Sequence, residues 1–188
     1  MAQIKPVETD SELEGILELQ SRNLEKNISS GELKDQGFVT VHHNKEILAA
    51  MNKDIPSIIA VDSNSRVIGY TLSMTKRFRN TIDILVPMFD MIDTLYYKNH
   101  NLQELDYLIG GQVCIEKNFR GKGLFYKLYN YAQQSYKSSY PLMLTEVSDR
   151  NPRSVKAHLN CGFEIIHSYQ MTDQESWSIL AWNWNLAD

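Results

Sequence analysis

The chain has 188 residues, 43% of them hydrophobic, and a formal net charge of −4. That length and apolar content suit one globular domain over residues 1–188, and mild acidity disfavours wholesale nucleic-acid binding. Two cysteines, Cys114 and Cys161, form neither a disulfide framework nor a zinc spacing. The N-terminus has no apolar leader core and no run is long enough to span a bilayer, so a cytoplasmic protein without membrane partners or metal is expected.

Ile4 to Val7 reads as a short first strand. Thr9 and Glu12 then form a capping box before a helix carrying Leu13, Ile16, Leu17, Gln20 and Leu24 on one stripe. A further helical region is expected around residues 28–36, and another from Glu46 to Asn52 with Ile47, Leu48 and Met51 on one side. Ser57–Val61 and Arg66–Met74 flank the turn sequence Asp62-Ser63-Asn64-Ser65 and form a hairpin. Between Arg77 and Asp106 the pattern is mixed, with Met88, Met91, Ile92, Leu95 and Tyr96 forming at least one inward-facing helical turn. Tyr107 to Glu116 returns to strand, with a bulge expected at Gly110-Gly111. Leu124, Leu128, Tyr131 and Ala132 then repeat at helical spacing, and Leu142 to Val147 is a strand. Asn151-Pro152 caps a short helix that Gly162 closes. Phe163–Met171 and Ser176–Trp184 end the chain as a strand pair.

The stretch with the most chemistry is Val113-Cys114-Ile115-Glu116-Lys117-Asn118-Phe119-Arg120-Gly121-Lys122-Gly123-Leu124. A strand runs into a basic glycine loop, and a helix starts directly after it. Glycines spaced one apart let successive backbone N–H groups turn inward, and with the helix N-terminus they make an anion site. Lys117, Arg120, Lys122 and Lys127 add positive charge there, against the sign of the whole chain. The loop is neither a Walker A sequence nor a dinucleotide fingerprint. The plain alternative is a turn with solvated lysines.

This loop resembles the acyl-coenzyme A loop of the GCN5-related N-acetyltransferase (GNAT) superfamily, Q/R-x-x-G-x-G/A. Arg120 and Gly123 match its first and fourth positions, while Phe125 stands where a small residue is usual. Downstream, Asn151-Pro152-Arg153-Ser154-Val155-Lys156-Ala157-His158-Leu159-Asn160-Cys161-Gly162-Phe163 resembles the family's N-x-x-[SA]-x-x-[LA]-[YH]-x-x-x-G-F segment. The resemblance implies an α/β (α+β) fold with a mixed, mostly antiparallel sheet flanked by helices and splayed in the middle. It implies an N-acetyltransferase carrying acetyl from acetyl-CoA to a primary amine of a small molecule or peptide, directly and in a ternary complex. A non-catalytic acyl-CoA-binding or regulatory domain is the alternative, and assembly as a homodimer stays open.

By the same resemblance, the coenzyme is held by Val113, Cys114 and Ile115, by Arg120, Gly121, Lys122, Gly123, Leu124 and Phe125, and by Asn151. Asn151 reads equally as a helix cap. Glu146 takes the place of a general base, with a salt-bridged strand-end carboxylate as the alternative. His158 occupies the slot where many members carry a tyrosine acid, with a partly buried helix histidine as the alternative. Cys114 has no base at a recognisable spacing and reads as a small buried hydrophobe. His42, His43, His100 and His167 read as surface or strand residues, and Trp177, Trp182 and Trp184 as core or interface. For the acceptor, Asp83, Asp90, Asp93, Glu104 and Asp106, interleaved with Phe89, Tyr96 and Tyr97, suggest a small cationic amine or a peptide α-amine. A solvated helix face is the plain reading of the same acids.

Overall fold

The computed structural model describes residues 2–28, 37–171 and 174–187. The expected helix around residues 28–36 falls, from residue 29 on, outside them. Strand β1 is Gln3–Pro6 and helix α1 is Asp10–Asn23. The capping box forms as expected: Thr9 Oγ1 accepts the Glu12 N–H at 3.3 Å, and Glu12 Oε2 accepts the Thr9 N–H at 3.0 Å. Helix α2 is Lys45–Asp54, with Asn44 Oδ1 accepting the Ile47 N–H at 2.8 Å as its cap. Strands β2 (Ile58–Val61) and β3 (Val67–Met74) form the expected hairpin.

The segment after β3 holds helix α3 (Val86–Ile92) and a two-residue-by-two hairpin, β4 (Tyr96–Tyr97) with β5 (His100–Asn101). Met88 and Ile92 face inward, but Tyr96 is 70% exposed. The helical spacing stops before it, and alternation in β4 turns Tyr97 inward and Tyr96 out. Strand β6 is Leu108–Ile115 and helix α4 is Leu124–Tyr136. In α4 the inward residues are Leu124, Leu128, Tyr129 and Ala132, so Tyr129 replaces the expected Tyr131 on the buried stripe. Strand β7 (Leu142–Ser148), helix α5 (Pro152–Cys161), strand β8 (Glu164–Gln170) and strand β9 (Ser176–Asn183) complete the chain.

Seven strands form one sheet in the order β1-β2-β3-β6-β7-β9-β8, antiparallel everywhere except between β6 and β7. Period-two alternation splits the core into two layers. Tyr70, Leu72, Leu142 and Leu144 pack with Leu13, Ile16, Leu48, Met51 and Phe89 from α1, α2 and α3. Ile58, Ile68, Met143 and Leu180 pack on the other face with Leu128 and Tyr129 of α4 and Cys161 of α5. Among the described residues no helix is long and apolar enough to cross a membrane.

The feature that positions the site lies at the centre. Strands β6 and β7 pair for only two residues, Leu108 with Met143 and Ile109 with Leu144. Register against β3 then shifts, Leu72 facing Gln112 and Ser73 facing Gly110, which leaves Gly111 as the extra residue of a bulge. The bulge lies within the expected Gly110-Gly111 pair. Beyond it the two strands diverge, and Thr145 Oγ1 donates to the Gly110 carbonyl at 2.8 Å at the crotch of the fork.

Candidate active site

The fork leaves one edge of β6 without a ladder partner. Glu116 N–H donates to the Ile68 carbonyl at 2.9 Å, so that end of β6 directs its even-numbered amides to β3. Alternation then turns the N–H groups of Val113 and Ile115 into the fork. A cavity of about 330 Å3 opens there, lined by Val113, Cys114, Ile115, Arg120, Gly121, Gly123, Leu124, Phe125 and Asn151. These are nine of the ten residues that the family resemblance assigns to a coenzyme. The tenth, Lys122, is not in the wall: its ammonium donates to the Asn118 carbonyl at 2.9 Å and lies 5.5 Å from the Phe119 ring.

The loop geometry follows from its glycines. Gly121 and Gly123 have φ of 73° and 76°, a region that a Cβ-bearing residue rarely adopts, and Gly123 is the N-cap of α4. A Cβ on either would meet nothing within 4 Å, so their requirement is conformational rather than spatial. Arg120 braces the loop, donating from Nε to the Ile115 carbonyl at 2.9 Å and from Nη2 to Asn23 Oδ1 at 2.6 Å. Asn151 is the realised cap of α5, its Oδ1 accepting the Ser154 N–H at 3.2 Å. Its Nδ2 donates to the Phe38 carbonyl at 3.1 Å, tying the opposite wall of the cavity to the helix.

Phe125, the departure from the usual small residue, turns toward α5. Its ring lies 4.9 Å from His158, edge to face, and 5.0 Å from Tyr129. The two departures from the family pattern, Phe125 and His158, therefore touch each other. They belong to one aromatic cluster with Tyr129, Phe163 and Trp182.

A second cavity, of about 460 Å3, shares Phe38, Val39, Val113, Asn151 and Ser154 with the first, so the two are chambers of one cleft. Glu146, on β7, lies in its wall. Burial pushes its carboxyl up from 4.5 to about 7, against the opposing pull of a hydrogen bond from the Tyr169 hydroxyl to Oε1. No salt bridge holds this carboxylate among the described residues, so the strand-end ion-pair reading does not apply. Tyr169 was not legible as a site residue: it stands on β8, beyond β9.

His158 also lies in this wall, but not as a proton donor. It is 2% exposed, its Nδ1 faces the Ser154 carbonyl at 2.8 Å and its Nε2 meets the Tyr129 hydroxyl at 2.8 Å. A carbonyl only accepts, so Nδ1 carries the proton and Nε2 accepts from Tyr129. Burial holds the imidazole down to about 4. The expected acid role is corrected: Nε2 has no proton to give, and the buried helix histidine is what the fold builds. Cys114 is likewise inert, its thiol pushed up to about 12 chiefly by burial.

Behind the far wall lie residues that sequence reasoning placed elsewhere. His43, read as a surface or strand residue, is buried and held down to about 4 by burial first and His42 second. Gln20 Oε1 accepts the His43 N–H at 2.9 Å, and Gln20 Nε2 lies 2.9 Å from both His43 Nδ1 and Gln112 Oε1. Tyr70 donates to the same Gln112 oxygen at 2.6 Å, and Gln112 Nε2 donates to the Val41 carbonyl at 2.9 Å. This network fastens the segment of Val39, Thr40 and Val41 onto α1, β3 and β6; Val39 lines both chambers, and Thr40 and Val41 line the second. Trp177, unlike Trp182 and Trp184, lines the second chamber. Arg150 crosses that chamber's wall, its guanidinium 2.8 Å from Glu25 and 3.0 Å from Glu175.

The acids suggested for the acceptor are not there. Asp90 and Asp93 pair with Arg79 at 3.2 and 2.7 Å, and none of Asp83, Asp90, Asp93, Glu104 and Asp106 lines the cleft. Phe89 is fully buried in the core. That segment instead contributes Ile84, Leu85 and Met88.

A mostly antiparallel seven-stranded sheet, forked at its centre and flanked by helices, is the fold of the GNAT acetyltransferases. The chain has this fold. An arylalkylamine N-acetyltransferase 2 from Aedes aegypti superposes with a TM-score of 0.67 at 13% identity, covering 98% of this chain and 99% of that one. A GNAT superfamily phosphinothricin acetyltransferase from Sinorhizobium meliloti, solved in complex with AcCoA, gives 0.64 at 15%, covering 98% and 89%. The ribosomal-protein-S18-alanine N-acetyltransferase from Escherichia coli gives 0.63 at 12%, covering 100% and 97%. No family model and no curated sequence matches the chain significantly, so the likeness is one of fold.

Proposed function

We propose that the protein is an acetyl-CoA-dependent N-acetyltransferase that acts on a primary amine by direct transfer, with both substrates in the cleft together. The observation that carries this reading is Glu146: a carboxyl raised to about 7, in the wall of the chamber that adjoins the glycine-loop chamber. A base with that value is half ionised near neutrality, where it can take a proton from an ammonium and leave a nucleophilic amine. Acetyl-CoA supplies the acyl group as a thioester, so the amine nitrogen gains the carbonyl carbon as the carbon–sulfur bond breaks.

The N–H groups of Val113 and Ile115 support this reading as donors toward a developing oxyanion, a role worth about 3–4 kcal/mol where it is realised. The amides of Gly121 to Phe125 suit a pyrophosphate. With His158 neutral and occupied, sulfur departs as a thiolate, whose conjugate thiol has a reference value of roughly 8.5 and needs no strong acid. The inert Cys114 argues against a covalent acyl-enzyme.

Thiol release from acetyl-CoA across an amine panel, with product masses, tests the proposal. Release that depends on amine and falls at least tenfold in Glu146→Gln supports it. Coenzyme A binding by calorimetry without any release would point to the non-catalytic binding domain, and trapping of an acetylated Cys114 would overturn direct transfer.

A further inference from the structure

The acceptor chamber differs from the coenzyme chamber in what lines it. One wall is Ile84, Leu85 and Met88, brought by the turn before α3 and by α3 itself, and Val41, Phe38 and Trp177 lie around the same cavity. Leu85 and Met88 are 7% and 3% exposed, whereas Ile84, next to Leu85, is 60% exposed. An apolar side chain held at the rim of a cavity by the turn before α3 offers a contact that nothing in the described fold satisfies.

Charge adds a second constraint. The described lining holds three carboxylates, Glu25, Glu146 and Glu175, and one guanidinium, Arg150. Arg150 is taken up by two of them: Nη1 meets Glu25 at 2.8 Å, and Nε and Nη2 meet Glu175 at 3.0 and 3.1 Å. The cation–π contact of Arg150 with Phe38, 5.7 Å to the ring centroid, fixes it further. An acceptor bearing its own carboxylate would enter a net-acidic chamber whose one cation already has partners. An ammonium would not.

Resting on the acetyltransferase reading, we propose that the acceptor is a small primary amine carried on a bulky apolar body, aromatic or branched aliphatic, and lacking a carboxylate. The ammonium goes to Glu146, and the body lies between the Ile84–Leu85–Met88 wall and Trp177. A chamber of about 460 Å3 is of the size that encloses one small organic ligand.

The test is calorimetric titration of the coenzyme A-bound protein with four amines, backed by turnover with acetyl-CoA. The amines are 2-phenylethylamine, phenylalanine (the same body with a carboxylate), spermidine (charge without an apolar body) and a tripeptide beginning with phenylalanine. The expected result is that 2-phenylethylamine binds at least tenfold more tightly than each of the others. Ile84→Lys, at a position too exposed to endanger folding, should weaken that binding about tenfold, and Met88→Ser should do the same, with coenzyme A affinity as the reference in both. Tighter binding of phenylalanine, spermidine or the tripeptide overturns the proposal, as does absence of binding by every amine. If 2-phenylethylamine binds as expected but no thiol is released, the chamber assignment stands and the transferase reading fails.

Discussion

The two chambers of the cleft are built by opposite means. The glycine-loop chamber, proposed for the coenzyme, offers main-chain donors from one continuous stretch, Val113 to Phe125, with two glycines at positive φ. The second chamber, proposed for the acceptor, is lined by residues of strands, helices and turns far apart in sequence, around the half-buried carboxyl of Glu146. A site made of backbone tolerates side-chain change but not conformational change. A site made of side chains reverses that. The charge differs as well: amides with Arg120 and Arg153 at one end, and three carboxyls around the single guanidinium of Arg150 at the other.

Glu146→Gln should strike the acceptor chamber hardest. Amine-dependent kcat/KM is expected to fall roughly ten- to a thousandfold at neutral pH, with coenzyme A affinity unaltered. In the unaltered protein kcat/KM should rise with pH through about 7 as Glu146 ionises, and this limb should vanish in the variant. Stability should move the other way. The folded carboxyl holds its proton from 4.5 up to about 7, so its favourable contribution is complete below the lower value and is lost as pH rises through that window. Glu146→Gln should therefore melt higher than the parent above pH 7, and the gap should close toward pH 4.

Gly123→Val breaks the other chamber. A β-branched residue at φ 76° costs roughly 1–2 kcal/mol or more before any ligand binds. Calorimetry should show at least a tenfold loss of coenzyme A affinity, and equal affinity would remove the loop from the site. Tyr129→Phe is smaller and should not touch chemistry selectively. It deprives His158 Nε2 of its donor, at a cost of about 1–3 kcal/mol in denaturant unfolding. A loss of kcat with unchanged stability would instead restore His158 to the mechanism. Asp90→Asn with Asp93→Asn should do least, lowering stability by up to about 1 kcal/mol through Arg79 and leaving the amine KM unchanged.

What the sequence disclosed follows the same division. The glycine loop, the helix it delivers and the cap at Asn151 are local, so spacing alone located them. Glu146 was pointed to by the family resemblance, and the structure puts it in the wall of the second chamber. The role of His158 was not visible: its partner Tyr129 lies on another helix, and only packing reveals that both ring nitrogens are occupied. The acids after β3 misled for a related reason. Their proximity in sequence suggested a surface for cations, but Arg79 lies within reach and pairs with two of them. Tyr96 and Tyr131 failed as inward residues because a helical repeat was extended into a hairpin in one case and displaced by two positions in the other.

The two-residue seam between β6 and β7 has a consequence for the dynamics of the sheet. Four strands and three strands meet as two plates, and the amides of Val113 and Ile115 are left facing the gap between them. Deuterium uptake at these two positions should be fast in the free protein, whereas Cys114, between them and directed to β3, should be protected. A ligand that lies in the gap supplies the absent rungs and couples the plates. Coenzyme A at a hundred times its dissociation constant should then slow exchange at 113 and 115 selectively while raising global stability by about 2.7 kcal/mol. The reactant would thus complete the sheet for as long as it stays bound.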